Sequence, residues 1–202
     1  MDESIELTPK FIEENFNYFL SKRCIIFNED VSDFQIESIS MQIIKWNFED
    51  QKIIKQKPKP IIIFINTSGG NVFPAINVID VIQNSKTPVY SIVLGRCMSA
   101  GIPILLASHK RYAFLNSIFL IHDGYITLEG SATKQKDTME FFEKMQNKVN
   151  CLLFQKTKIT SDEFEKISRQ ELYMFSEEAQ QKGIINNIIG KDIELTDIIK
   201  EF

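Results

Sequence analysis

Ile61-Ile62-Ile63-Phe64-Ile65-Asn66-Thr67-Ser68-Gly69-Gly70-Asn71 decides the fold. The first five residues are β-branched or aromatic, with no polar residue alternating among them. A strand covered on both faces has this pattern, and such strands belong to parallel sheets. Gly69-Gly70 then turns the chain sharply. Val72, Ile76, Ile79 and Ile82 follow at helical spacing, which predicts a helix from about Asn71 to Gln83. Strand, glycine turn and helix together make the unit of an α/β protein.

The same alternation continues downstream. Pro88 to Leu94 reads as the next buried strand, and a short helix runs from Ser99 to about Ala107. Two strands follow, Arg111–Phe114 and Ser117–Ile121. A glycine-bearing segment, 123–130, leads into a long helix from about Thr133 to Lys156, whose apolar positions Phe142, Met145, Val149 and Leu152 step by three and four. Ser161–Ile167 and Ser176–Lys182 read as helices and Ile184–Ile189 as a last buried strand. Upstream, Thr8-Pro9 opens a helix with a hydroxyl cap and an N-terminal proline, and Ile12, Phe16, Phe19 and Leu20 share one face. Arg23–Phe27 is a short strand. Ser32-Asp33-Phe34-Gln35 is a capping box ahead of an apolar stripe at Ile36, Ile39, Ile43 and Ile44, reaching about Phe48. The Lys-rich stretch from Glu49 to Pro60 is an exposed connector, and there is no internal repeat.

A chain of 202 residues is expected to form one domain, 1–202, without help from disulfides or a structural metal. Its 44% hydrophobic and 25% charged residues exclude wholesale disorder. A net charge of −4 leaves no electrostatic footprint for nucleic acid. Cys24, Cys97 and Cys151 are odd in number and far apart, which suits a reducing compartment. With no CxxC pair and only His109 and His122 as imidazoles, no zinc site is expected. The acidic Met1–Glu6 start is unlike a secretory signal. The longest apolar run, Ile61–Ile65, is far short of the ~20 residues that span a bilayer. The expectation is a cytoplasmic protein with no membrane partner.

Three places carry candidate chemistry. Asn66–Asn71 offers bare N–H groups at a helix start, which suits an anion or a developing oxyanion; a plain tight turn is the structural alternative. Gly95-Arg96-Cys97-Met98-Ser99-Ala100-Gly101 places a serine after a buried strand, with small residues following. It is a nucleophile turn in outline, although the spacing is not G-x-S-x-G. Ser99 reads equally as an N-cap, and Cys97 is either a competing nucleophile or buried packing. Phe119-Leu120-Ile121-His122-Asp123-Gly124 sets a histidine at a strand end before a glycine loop, where sites form; a satisfied core histidine is the alternative. His109, beside Lys110 and Arg111, reads as a solvated loop residue.

In this order and spacing the segments resemble the Clp protease proteolytic subunit (ClpP) family of serine peptidases. The family's I-N-S-P-G-G motif is similar to Ile65–Gly70. Its G-Q-A-A-S-M-G segment is similar to Gly95–Gly101, and its M-I-H-Q-P segment to Leu120–Gly124. Its F-M-S-A-E-E-A-x-x-x-G-L-I-D segment is similar to Tyr173–Ala179 followed by Gly183–Asn186. Asn116-Ser117 also matches, so the resemblance runs from about Arg23 to Ile189.

The resemblance implies a ClpP/crotonase-type α/β spiral of ββα units with a protruding long handle helix, in a handle region covering 123–158. It implies Ser99 as nucleophile, His122 as general base, and the N–H groups of Gly70 and Ala100 as oxyanion hole. The third member, an aspartate in the family, is Glu171 here. Neither a metal nor an organic cofactor is implied. Polypeptide substrates, a heptameric ring, its doubling to a tetradecamer and a Clp-type AAA+ unfoldase are the implied partners. Some features depart from the family. The axial segment that meets the unfoldase has no match in Met1–Leu20, so residues 1–22 form a divergent segment. The acid–arginine pair that helps join two rings reads Arg169-Gln170, and the proline after the histidine is Gly124. Two rival readings are a catalytically weak ring paralogue and a crotonase-type acyl-CoA enzyme, which needs no serine–histidine pair.

Overall fold

The computed structural model describes residues 8–52, 58–167 and 170–199. The Met1–Glu6 start, positions 53–57 of the connector and Arg169 lie outside the described residues.

Helix α1 (Pro9–Ser21) starts as its sequence dictates, with the Thr8 hydroxyl accepting the Phe11 N–H at 3.2 Å. Its apolar stripe is half used. Phe19 and Leu20 pack on the body, whereas Ile12 and Phe16 are exposed. Strand β1 (Cys24–Phe27) and helix α2 (Asp33–Asp50) follow; Ser32 caps α2, which buries Ile36, Ile39, Ile43 and Trp46. Next come β2 (Ile61–Thr67), α3 (Val72–Asn84), β3 (Val89–Met98), α4 (Gly101–Ala107), β4 (Lys110–Phe114) and β5 (Ile118–Ile121). The chain ends with α5 (Ala132–Lys156), α6 (Ser161–Ile167), β6 (Leu172–Phe175), α7 (Ser176–Gln181), β7 (Asn187–Ile189) and α8 (Leu195–Ile199).

The main sheet runs β1-β2-β3-β4-β7, all parallel. Strand β2 sits inside it and is buried on both faces. Ile61, Ile63 and Ile65 join Ile39, Ile43, Val78 and Ile82 of the helices on one side. Ile62 and Phe64 join Tyr90, Ile92 and Tyr112 on the other, where Phe19 of α1 and Ile198 of α8 cover them. This two-sided cover accounts for the unbroken apolar run, and truncating such a side chain to alanine costs about 2–5 kcal/mol.

Strand β3 forks the sheet. Tyr90–Val93 pair with β4, and Arg96–Met98 pair with β5. Between the two halves the register against β2 slips, from Ile65↔Val93 to Thr67↔Cys97, so Leu94-Gly95-Arg96 bulges out to solvent. The Asn66 carboxamide secures the bulge by accepting the Arg96 N–H at 3.2 Å. The fork carries β5 away from β4 to pair antiparallel with β6. The strand therefore extends four residues past the Leu94 expected from the sequence, up to the site residues.

A buried cation pins the far side. Arg111 on β4 donates to the carbonyls of Ile184 (2.8 Å), Gly183 (3.1 Å) and Lys156 (3.3 Å), joining the end of α5 to the approach to β7. Ile184 and Ile185 are buried as expected but belong to this pinned loop, so β7 begins only at Asn187. Helix α5 buries Phe142, Met145, Leu152 and Leu153, while its stretch from Ala132 to Phe141 buries nothing. The segment 122–129 before it has no regular secondary structure.

Candidate active site

The turn after β2 is built from two glycines in conformations that side chains avoid, Gly69 at φ +99° and Gly70 at φ +140°. The Thr67 hydroxyl accepts the Gly69 N–H at 3.1 Å. Val31 is clamped alongside: its N–H donates to the Gly69 carbonyl at 2.7 Å, and its carbonyl accepts the Asn71 N–H at 2.9 Å. A Cβ on Gly70 would lie 2.6 Å from the Val31 oxygen, so this approach excludes any side chain. The bridge to Val31 uses the groups on either side of Gly70, which turns the Gly70 N–H to the opposite side.

Ser99 follows β3 with φ +50°, a left-handed conformation uncommon for a residue other than glycine. Its N–H donates to the Leu120 carbonyl at 2.9 Å and its own carbonyl accepts the Ile102 N–H at 2.9 Å. The strained turn is thus held by β5 on one side and α4 on the other. Helix α4 begins at Gly101, and Ala100 occupies the cap position without a side-chain bond. This corrects the helix start expected at Ser99 and removes the N-cap reading of that serine. The Gly69 turn presses on it, since a Cβ at Gly69 would lie 2.6 Å from Ser99 Cβ and 3.1 Å from the Ala100 nitrogen. Among the described residues neither the Gly70 nor the Ala100 N–H enters a hydrogen bond.

Cys97 is fully buried and packs its sulfur under Gly101. Burial pushes its thiol far above the ordinary range, so it holds no thiolate for nucleophilic chemistry. His122 stands one residue beyond β5, half-buried, and its ring has no hydrogen-bond partner among the described residues. It is not a satisfied core histidine. His109 is exposed and braces a strand start, its Nδ1 accepting the Val89 N–H at 3.0 Å.

Gly70, Ser99, Ala100 and His122 line one cavity of about 400 Å³. Its other wall is largely apolar, with Ile102 and Leu106 from α4 and Phe142, Val149 and Leu153 from α5. Gln146 and Asn150 of α5 also face it. Two free N–H groups, a hydroxyl and an imidazole around one cavity are the groups that acyl transfer needs, a nucleophile, a base and donors for a developing oxyanion.

Glu171 does not line this cavity. It lies just ahead of β6, and the β5–β6 register, which ends at Ile121↔Leu172, sets it across from His122 when continued by one step. As an acceptor and as a nearby negative charge, the Glu171 carboxylate raises the pKa of the exposed Tyr173 phenol. Among the described residues no hydrogen bond joins Ser99 to His122 or His122 to Glu171.

A family model described as Clp protease matches residues 10–192. Among curated proteins, the ATP-dependent Clp protease proteolytic subunit 2 of Treponema pallidum (strain Nichols) is 31% identical over 182 residues, covering 89% of this chain and 88% of that protein. No helix among the described residues is long and apolar enough to cross a membrane.

Proposed function

The chain belongs to the Clp protease family, a family of peptidases with this mixed α/β fold, and on that premise we propose that it is a serine endopeptidase acting on peptides and unfolded polypeptides. In this reading residues 1–202 form one peptidase domain with a handle over 123–158. Ser99 Oγ attacks the peptide carbonyl carbon while His122 takes its proton. The N–H groups of Gly70 and Ala100 hold the tetrahedral oxyanion. His122 then protonates the departing amine, and water hydrolyses the acyl-enzyme by the same route. Glu171 orients the imidazole and stabilises the imidazolium that forms. Glutamate can do this on a longer reach than aspartate. None of these steps calls for a metal or an organic cofactor.

The observation that carries the reading is the strained Ser99 backbone, φ +50°, set against Gly69 at the same cavity as His122 and two unengaged N–H groups. Backbone strain of this kind costs about 1–3 kcal/mol and persists where a function fixes it. Labelling by a fluorophosphonate, together with peptide cleavage by wild type and Ser99→Ala, tests it.

The handle and the segment after His122 support self-assembly into a heptameric ring. Doubling to a tetradecamer and pairing with a Clp-type AAA+ unfoldase belong to the same reading, placed in the cytoplasm. One observation favours the second reading, a catalytically weak ring paralogue: Glu171 stands outside the cavity that His122 lines, and among the described residues no hydrogen bond joins the two.

A further inference from the structure

Two aromatic rings stand at the edge of the cavity without serving the core. Helix α3 buries Pro74, Ala75, Val78, Ile79 and Ile82, and Phe73 is not among them. Helix α5 buries Phe142, Met145, Leu152 and Leu153, and Phe141 is not among those. The two rings nevertheless stack on each other, with centroids 6.4 Å apart and planes 12° from parallel. Aromatic pairs prefer such an offset stack. Phe73 remains 51% exposed and Phe141 58%, so the pair keeps much of its ring surface in water. A single exposed phenylalanine is ordinary, but two rings ordered face to face and left half in water are apolar surface open to a third group.

The position of Phe73 decides which group. It lines the same cavity as Gly70, Ser99 and His122, whereas Phe141 does not. Its backbone is held on the Gly70 side of that cavity. The Phe73 N–H donates to the Asn71 carboxamide oxygen at 3.0 Å, and the Asn71 N–H donates to the Val31 carbonyl at 2.9 Å. Phe73 is the third residue after Gly70, which is at most about 11 Å of chain, and an extended peptide covers that distance in about three residues. A substrate side chain that meets Phe73 therefore belongs to a residue close to the bond that is cleaved. The residues lining the cavity include no aspartate, glutamate, lysine or arginine. A charged side chain finds no partner on such a wall. The face of a phenyl ring offers dispersion and quadrupole contact, which a flat neutral ring uses best.

We propose that Phe73 is a specificity-determining residue, a stacking platform for an aromatic side chain of the peptide within about three residues of the scissile bond. Phe141 is the positioning residue behind it. This rests on the serine-peptidase reading above and narrows the substrates to apolar peptides that carry Phe, Tyr or Trp near the point of cleavage. The stack on Phe141 restricts the rotamers that an exposed Phe73 would otherwise sample, so less freedom is lost when the peptide arrives. A second copy of the chain is the competing occupant of this surface. The place of Phe73 in the cavity wall favours the peptide.

The test is equilibrium binding of short, dye-labelled apolar peptides to the full-length Ser99→Ala protein, which holds them without cleaving them. The peptides carry phenylalanine or cyclohexylalanine at one position at a time. Cyclohexylalanine has a similar outline but no π face, so the ratio of the two affinities reads stacking and not size. At one position phenylalanine should bind about two- to tenfold more tightly, the scale of an aromatic pair. Phe73→Leu should bring that ratio to one, and Phe73→Tyr should keep it. Phe141→Ala should lower it, and Phe141→Tyr should restore it. A merely structural role for either ring would weaken both peptides alike and leave the ratio unchanged, which overturns the proposal. A ratio of one at every position, or a protein that binds none of the peptides, overturns it as well. So does a preference that survives in Phe73→Leu, as it would if the exposed Tyr125 of the same wall were the platform. A failure of the serine-peptidase reading would appear separately, as cleavage retained by Ser99→Ala.

Discussion

Ser99 holds a backbone conformation that removes one of its two readings. A serine at φ +50° with no capping bond is not there to start a helix, and it keeps that conformation because the Leu120 carbonyl and the Gly69 turn leave it no alternative. Gly69 is the complementary half. Adding a methyl group there meets Ser99 Cβ at 2.6 Å and the Met98 oxygen at 2.8 Å, in a conformation already adverse to side chains. Gly69→Ala should cost about 2 kcal/mol or more and abolish labelling of Ser99, measured by urea denaturation and by the probe. The cysteines separate by burial. Cys24 is pushed up to about 11 and Cys97 further, both by desolvation, while Cys151 is exposed. Thiolate is the reactive form, so at pH 8 iodoacetamide should modify Cys151 alone in the native protein; mass spectrometry showing a modified Cys97 would contradict the buried site. Much of this was legible in the residues. Ser99 and His122 stand out in the sequence by their place after strands, and the Asn66–Asn71 turn by its paired glycines, but only the φ angle removes the N-cap reading of Ser99.

Elements with strong, uninterrupted patterns were the most legible. The boundaries of α6 agree with those expected, and those of α1, α3 and α5 agree to within a residue or two, because caps and apolar spacing mark them locally. The misses have physical causes. The four residues of β6 lie at an edge, where Tyr173 and Phe175 face solvent and Met174 faces the core, too short a pattern to stand out. Helix α8 is five residues long and is held by packing Ile198 on the sheet, not by propensity. Strand β3 passes its expected end because the bulge at Leu94-Gly95-Arg96 lets it change partners. The loop at Ile184-Ile185 resembles a strand in sequence and is claimed instead by Arg111. That guanidinium satisfies three carbonyls from two segments, so Arg111→Met should leave them unpaired and cost about 3 kcal/mol. A denaturation midpoint equal to wild type would show that the pin is dispensable.

The whole molecule leaves surfaces that a single copy does not cover. Ala132–Phe141 of α5 bury nothing, Met139 and Phe141 stay exposed, and the segment 122–129 forms no strand although Ile126 and Leu128 lie two apart on it. Unpaired backbone and an apolar helix face are both relieved by a second copy, and a closed ring relieves every copy equally. Sedimentation at micromolar concentration should give a species of seven times the 23.4 kDa chain or twice that, and a lone monomer across salt and pH would contradict it. Assembly and chemistry meet at His122, which sits between the ribbon carrying Glu171 and the segment the ring would order. The account stands most directly on whether that cavity activates a serine. A fluorophosphonate probe applied to the full-length protein, with its adduct mapped by mass spectrometry, measures this. Wild type should be labelled at Ser99, with labelling and peptide cleavage lost in Ser99→Ala and reduced by several orders of magnitude in His122→Ala. Cleavage of small peptides retained by Ser99→Ala, or a wild-type protein that neither reacts nor cleaves, would contradict it.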